Sequence, residues 1–327
     1  MRVRDLDESE LISLLTAVLP TGERTILGSG DDCAFVASPE AGFLVTTDIL
    51  VGGEHFRTDW SSPDEIGARA AAQNLADVAA MGGRTSSLVV SLVLPPDTPV
   101  DWVVALAAGF GERARLAGAG VVGGDLSSGG EVVVSVTAQG WTHETPVLRT
   151  GARPGDILAI AGTLGRSGAG LELLSRGLVD PACHDAEVLG DLAEAVTTYR
   201  APTPPLEAGP TAAAHDVHAM MDVSDGLVMD AGRMARASGV IVELDPALLA
   251  PDVRALEAPA RACGRPALDW VLFGGEDHPM LAAFPPRVVL PTPFRAIGVI
   301  GAVEPEGLPR VRLDGTDISG GWDHFRR

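Results

Sequence analysis

The chain has 327 residues, 44 acidic against 24 basic, for a formal net charge of -20, and every basic side chain is arginine. A nucleic-acid reader would show a basic face and a peripheral membrane protein a basic stripe, and neither is evident. The absence of lysine also excludes the P-loop Lys and the protein-kinase strand Lys, so metal ions, backbone amides and arginines must neutralise any phosphate bound here.

The length suits two domains of ordinary size. With 46% hydrophobic but only 4% aromatic residues, aliphatic side chains and Ala must fill the core. No apolar run approaches the roughly 20 residues that span a bilayer. The N-terminal Met1-Arg-Val-Arg-Asp-Leu-Asp lacks the apolar stretch of a signal peptide. Cys33, Cys183 and Cys263 are odd in number and far apart, as in a cytoplasmic protein with reduced thiols.

In chain order, apolar spacing predicts a helix over 8–19 that ends at Pro20, then a strand over 43–48 running into Asp48 at its end. Pro63-Asp64-Glu65 opens a helix that stops at Gly82-Gly83, with its acids where the helix dipole favours them. A strand over 87–94, a helix over 100–117 and a strand over 131–139 follow. The N-terminal half is therefore α/β or α+β. A polar, Gly- and Pro-rich stretch over 143–155 is the best linker, dividing the chain into domains at 1–142 and 150–327. Beyond it, strands are expected over 156–162, 218–223 and 240–244, and helices over 167–176 and 226–238.

Acidic motifs beside glycines and small hydroxyl residues recur along this frame. Gly28-Ser-Gly30-Asp31-Asp32 is either a solvated turn or a pair of ligating carboxylates. In Thr46-Thr47-Asp48, strand alternation sends Thr46 and Asp48 to one face and Thr47 to the other; a terminal Asp there also serves as a cap or turn residue. Asn74 and Asp77, three apart, share a face of a helix otherwise full of Ala, Leu and Val, where a buried carboxylate must be paired or bound to a metal. Val121-Val122 runs into Gly123-Gly124-Asp125, whose amides suit an anion-binding nest. Arg149 is either a bidentate phosphate contact or a surface arginine. Asp222-Val-Ser224-Asp225-Gly226 stands where a strand enters a helix, whose free N–H groups attract phosphate, although Ser224 or Asp225 equally suits a plain N-cap. In Phe273-Gly-Gly-Glu276-Asp277 the acids suit a cationic substrate group, and His55 in Gly52-Gly-Glu-His-Phe56 is a candidate polar contact.

In this order and spacing, the set resembles the thiamine-monophosphate kinases, within the aminoimidazole-ribonucleotide-synthetase-like ATP-binding superfamily. The segments that carry the resemblance are 30–34, 46–56, 72–82, 123–125, Gly-Thr-Leu-Gly at 162–165, 221–227 and 273–277, with a Gly-Trp tail at 320–325. The resemblance implies two α/β (α+β) domains holding ATP and several Mg²⁺ ions in a groove, and a homodimer whose N-terminal mixed sheets form a barrel-like interface. By matched motif positions it implies that Asp32, Thr46, Thr47, Asp48, Asp77, Asp125, Asp222 and Asp225 ligate Mg²⁺ directly or through water. Gly124, Asp125, Arg149 and Ser224 would hold ATP, and His55, Glu276 and Trp322 would contact thiamine monophosphate. The implied reaction moves the γ-phosphoryl group of ATP to that acceptor, with no covalent catalyst.

Two positions depart from the family pattern. Val-Val-Ala-Leu-Ala at 103–107 stands where an aromatic residue often lies near adenine, and His278 follows the Gly-Gly-Glu-Asp motif in place of Tyr. Neither is expected to touch the acidic set. Within the superfamily, a selenophosphate synthetase would need a reactive Cys or selenocysteine in its N-terminal glycine-rich loop. A hydrogenase-maturation dehydratase would end in Cys, whereas this chain ends His-Phe-Arg-Arg. An aminoimidazole-ribonucleotide synthetase and a non-catalytic nucleotide sensor are the remaining alternatives.

Overall fold

The computed structural model describes residues 1–6, 8–27, 35–38, 42–143 and 145–322. Asp32 and Cys33, with the rest of the Gly-Asp-Asp-Cys-Ala segment, lie outside the described residues, as do 323–327 of the tail. The chain divides into two compact units, one of Met1–Val78 with Gly83–His143, the other of Ala79–Gly82 with Glu144–Arg327.

The first unit contains α1 (Glu8–Thr16), β1 (Thr25–Leu27), β2 (Phe35–Val36), β3 (Leu44–Val51), α2 (Pro63–Ala80), β4 (Arg84–Leu94), α3 (Val100–Leu116), β5 (Gly120–Ser128) and β6 (Val133–Trp141). Its main sheet has the order β3-β6-β4-β5. The β4–β5 pair, joined through α3, is parallel, and the other pairs are antiparallel. Helix α2 starts where its sequence dictates. Pro63 has no N–H to leave unpaired, and the Glu65 carboxylate accepts the Ser62 N–H at 2.8 Å, half of a capping box. It ends at Gly82, whose φ of +75° few other residues adopt. Helices α2 and α3 cross almost backbone to backbone: a Cβ on Gly67 would sit 2.0 Å from the Leu106 carbonyl oxygen, and one on Gly109 2.0 Å from that of Asp64.

Strand β3 continues through Ile49-Leu50-Val51, which pair with Val133–Ser135 of β6. Thr46-Thr47-Asp48 therefore lies inside the strand rather than at its end, because the apolar residues after it are equally good strand formers. The two sheet faces differ. Leu50, Val134, Val136, Ala138, Leu88 and Leu92 are buried beneath the helices, while on the other face Val45 is 61% and Ile49 51% exposed.

The second unit adds β7 (Ile157–Ala161), α4 (Arg166–Ser175), α5 (Ala186–Leu189), α6 (Ala193–Arg200), α7 (Ala208–Ala213), β8 (Ala219–Asp222), α8 (Leu227–Ser238) and β9 (Val240–Leu244). There follow α9 (Ala250–Ala255), α10 (Glu257–Cys263), α11 (Ala267–Phe273), β10 (Met280–Phe284), β11 (Arg295–Ala302), β12 (Arg310–Leu313) and β13 (Thr316–Ile318). The sheet runs β13-β12-β9-β11-β7-β10-β8, with only the β9–β12 pair parallel. The central β7 and β10 are apolar along their whole length and buried on both faces, as a sheet covered by helices requires. Among the described residues, no helix is long and apolar enough to cross a membrane.

Candidate functional site

In the first unit, Thr46 and Asp48 point to the helix-covered face of β3, with Asp77 facing them from α2. The Thr46 hydroxyl donates to Asp77 Oδ2 at 2.6 Å. Asp77 is half-buried rather than fully enclosed, and it is Asn74, one turn earlier, that is wholly buried. Asn74 Nδ2 donates to the Ala70 carbonyl at 3.0 Å, which leaves its Oδ1 without a hydrogen bond. Thr47 occupies the opposite face, where its hydroxyl donates to the Val136 carbonyl at 2.8 Å. Asp125 shares that outer face: it sits across from Ser91, which pairs with Ser135, which pairs with Ile49. Its Oδ2 accepts the Ser127 hydroxyl at 3.2 Å. The sheet thus gathers Thr46, Asp48 and Asp77 on one side and sets Thr47 and Asp125 on the other.

The expected nest at Gly123-Gly124 is not formed. Both glycines are paired with β4 inside β5, and neither has a positive φ. Gly124 answers instead to its neighbour strand, since a Cβ there would lie 2.1 Å from the Val90 carbonyl oxygen. Val103 and Leu106, in the segment where the family often has an aromatic residue near adenine, are buried core residues. His55 sits in the turn after β3 with its Nδ1 accepting the Val51 N–H at 3.0 Å, so a neutral ring carries its proton on Nε2.

Three loops of the second unit converge at the ends of β7, β8 and β10. The Gly162–Gly165 loop enters α4, the Asp222–Gly226 loop enters α8, and the Gly274–His278 loop leads into β10. Their glycines permit the contact: a Cβ on Gly275 would lie 2.1 Å from the Ser224 carbonyl oxygen, and one on Gly226 2.8 Å from that of Phe273. The Glu276 N–H donates to the Ser224 carbonyl at 2.9 Å, and Glu276 and His278 both take left-handed backbone angles, with φ of 68° and 53°. The tail closes on the same loops, with the Trp322 N–H donating to the Asp225 carbonyl at 3.0 Å. Arg149 is exposed beside β8, its carbonyl accepting the Ser238 hydroxyl at 3.2 Å.

Two buried carboxylates hold these loops: Asp230, which no motif singled out, and Asp277, expected with Glu276 to face a cationic substrate group but turned instead onto the chain's own donors. Asp277 accepts the Thr163 hydroxyl at 2.7 Å and the N–H groups of Arg166 and Ser167 at 3.1 and 2.8 Å, capping α4 from outside that helix. Asp230 Oδ2 accepts the N–H groups of Ser224 and Asp225 at 3.0 and 2.9 Å. These two amides, which precede the first turn of α8, are therefore taken by the chain's own side chain. Burial pushes both carboxyls up to about 6, against the opposing pull of those N–H donors. Arg233 pairs with Asp230 and, at 2.7 Å, with Asp225. His278 also reaches the acidic set, contrary to expectation, with Nδ1 3.1 Å from Asp222 Oδ2.

Comparison with known proteins identifies this arrangement. Residues 30–142 match the family described as AIR synthase related protein, N-terminal domain, and 153–277 the corresponding C-terminal domain. The thiamine-monophosphate kinase of Mycobacterium tuberculosis is 42% identical over 326 residues, covering 99% of this chain and 93% of that protein. The chain belongs to the thiamine-monophosphate kinase family. A family member from Aquifex aeolicus is 35% identical over 99% of this chain and all of its own. Among solved structures, the kinase of Stenotrophomonas maltophilia K279a aligns with a TM-score of 0.82 at 31% identity, covering 96% of this chain and 98% of that one. AaThiL complexed with AMPPCP and TMP aligns with a TM-score of 0.77 at 30% identity, covering 99% of each chain.

Within this kinase family fold, the chain's own donors set limits on a metal. Among the described residues, no group of three or more His, Cys, Asp and Glu is close enough to hold an ion unaided. What the chain offers is small sets of oxygens, with Thr46, Asp48 and Asp77 on one unit and Asp222 and Asp225 on the other. Such sets fit a hard cation whose remaining ligands are water and substrate phosphates.

Proposed function

We propose that the protein transfers the γ-phosphoryl group of ATP to thiamine monophosphate, giving thiamine diphosphate and ADP, as a Mg²⁺-dependent cytoplasmic homodimer. The reading is carried by full-length similarity to curated thiamine-monophosphate kinases, joined with the AMPPCP and TMP bound to a relative of the same fold.

The acceptor is itself a phosphate oxygen, largely ionised at neutral pH, so no general base is required. The obstacle is repulsion between two anions, which positioning and positive charge overcome. Asp48 and Asp77, with Asp222 and Asp225, are the carboxylates best disposed to hold Mg²⁺, while Asp32, Thr46, Thr47 and Asp125 would serve through water or as further ligands. Bound Mg²⁺ would supply the charge that offsets the phosphates. Ser224 and Arg149, with the Gly124-Asp125 segment, would orient ATP. Glu276, Trp322 and His55 would receive the substrate, whose cationic thiazolium suits a carboxylate and an aromatic face. On this reading residues 1–142 serve nucleotide, metal and self-association, and 150–327 the remaining nucleotide and substrate contacts. The exposed apolar side chains Val45 and Ile49 support a second copy against the outer sheet face.

ADP release measured with Mg-ATP and, separately, thiamine monophosphate, thiamine or formylglycinamidine ribonucleotide tests the assignment. Turnover with the first alone, abolished by EDTA and restored by Mg²⁺, is expected. Activity only with the ribonucleotide would sink it, and ATP binding without turnover would point to a sensor.

A further inference from the structure

Arg233 stands on α8, where its guanidinium bridges two carboxylates of unlike character. Asp230 is wholly buried and fastened to the backbone of the Ser224–Asp225 loop. Asp225 is the loop's own acid, 18% exposed, paired to Arg233 at 2.7 Å. The three residues form a closed ring. Asp230 holds the loop, the loop presents Asp225, and Arg233 ties Asp225 back to Asp230.

In this arrangement one guanidinium serves two carboxylates, so the charge of Asp225 is partly offset. An arginine cannot release its partner by losing a proton at any ordinary pH. It can do so only by swinging away, and its 35% exposed side chain has solvent to swing into, whereas Asp230 has none. A divalent cation approaching Asp225 must therefore share the carboxylate with a guanidinium, or displace it, and meets its positive charge at close range.

We propose that Arg233 is a resting counter-ion for Asp225, which competes with the divalent cation and sets how tightly that cation binds. This rests on the reading of Asp225 as a cation ligand. Arg233 acts as a positioning residue, through its contacts with Asp225 and Asp230.

The test uses the full chain and Mn²⁺ alone, with binding read from the loss of the free Mn²⁺ signal in electron paramagnetic resonance. Arg233→Gln keeps a donor for Asp230 but removes the charge, and should bind Mn²⁺ roughly threefold more tightly or better, given the strength of a half-exposed pair. Arg233→Lys, which restores the charge, should return toward the parent affinity. Metal-free Arg233→Gln should melt below the parent and gain more from added Mg²⁺. If Arg233→Gln binds Mn²⁺ no more tightly than the parent while Asp225→Asn binds it more weakly, the counter-ion role is wrong and the ligand reading stands. If Asp225→Asn binds like the parent, the ligand reading fails and takes the inference with it.

Discussion

The hydroxyl of Thr46 donates to the carboxylate of Asp77 across 2.6 Å, joining the middle of β3 to the last turns of α2. The donor fixes the direction in which one oxygen of Asp77 points. A carboxylate held in this way has a defined orientation before any ligand arrives, as a preorganised site requires.

Asp77→Asn should therefore reduce turnover by roughly 10²-fold or more while the protein remains folded, because an amide oxygen still accepts from Thr46 but brings no charge. Steady-state ADP release beside a thermal melt checks this. Near-normal turnover at limiting Mg²⁺ would remove Asp77 from the metal ligands.

The crossing of α2 and α3 depends on two missing side chains. Gly67→Ala places a methyl group 2.0 Å from the Leu106 carbonyl oxygen and should cost about 1–3 kcal/mol or more through overpacking. Gly123→Ala meets nothing within 4 Å and should change stability little. Urea denaturation of the two variants, with equal losses, would refute the close crossing.

Asp277 gives stability a pH dependence opposite in sign to that of a paired surface acid. Its carboxyl is raised from 3.8 to about 6 in the folded protein, so the folded state holds a proton that the unfolded chain has released. Its stabilising contribution is complete below the unfolded value and is lost as pH rises toward 6, by about 2–3 kcal/mol for a shift of this size. Asp277→Asn lacks that titration, so its stability deficit relative to the parent should shrink between pH 4 and pH 7. A deficit that widens with pH would mean that hydrogen bonding from Arg166, Ser167 and Thr163 outweighs burial.

Trp322 is tethered to the site loop through its backbone, Trp322 N–H to Asp225 carbonyl, while its side chain is about half exposed. Trp322→Ala should leave the melting temperature almost unchanged and raise KM for thiamine monophosphate several-fold, in line with the loss of one aromatic contact to a cation. An unaltered KM would show that the indole does not contact the substrate.

Local chemistry was legible along the chain. Pro63 and Glu65 announced the start of α2, Gly82 its end, and strand alternation assigned Thr46 and Asp48 to one face. The ordered acidic motifs pointed to the family. What the sequence could not reveal was mostly long-range. Asp277 caps a helix that begins 111 residues earlier, a relationship no window of sequence contains. Asp230 resembled any acid in the first turn of a helix, so its hold on the preceding loop left no distinct signal. Gly124 read as room for a ligand, whereas its neighbour strand needs the space. Alternation already separated Thr47 from Thr46, but that Asp125 shares the face of Thr47 emerges only from the register of four strands.

Asp230 and Asp277 have one more consequence. Each has moved its own carboxylate onto backbone amides that would otherwise greet an incoming oxyanion, so these loops carry their anions as built-in furniture. Orthophosphate, sulfate or a nucleotide stripped of its cation finds those seats taken and meets further negative charge. A phosphate that is to bind beside these loops must therefore have its charge met by something other than these four amides, by arginine side chains or by a cation. A chain without a single lysine has in this way made charge balance its first test of identity.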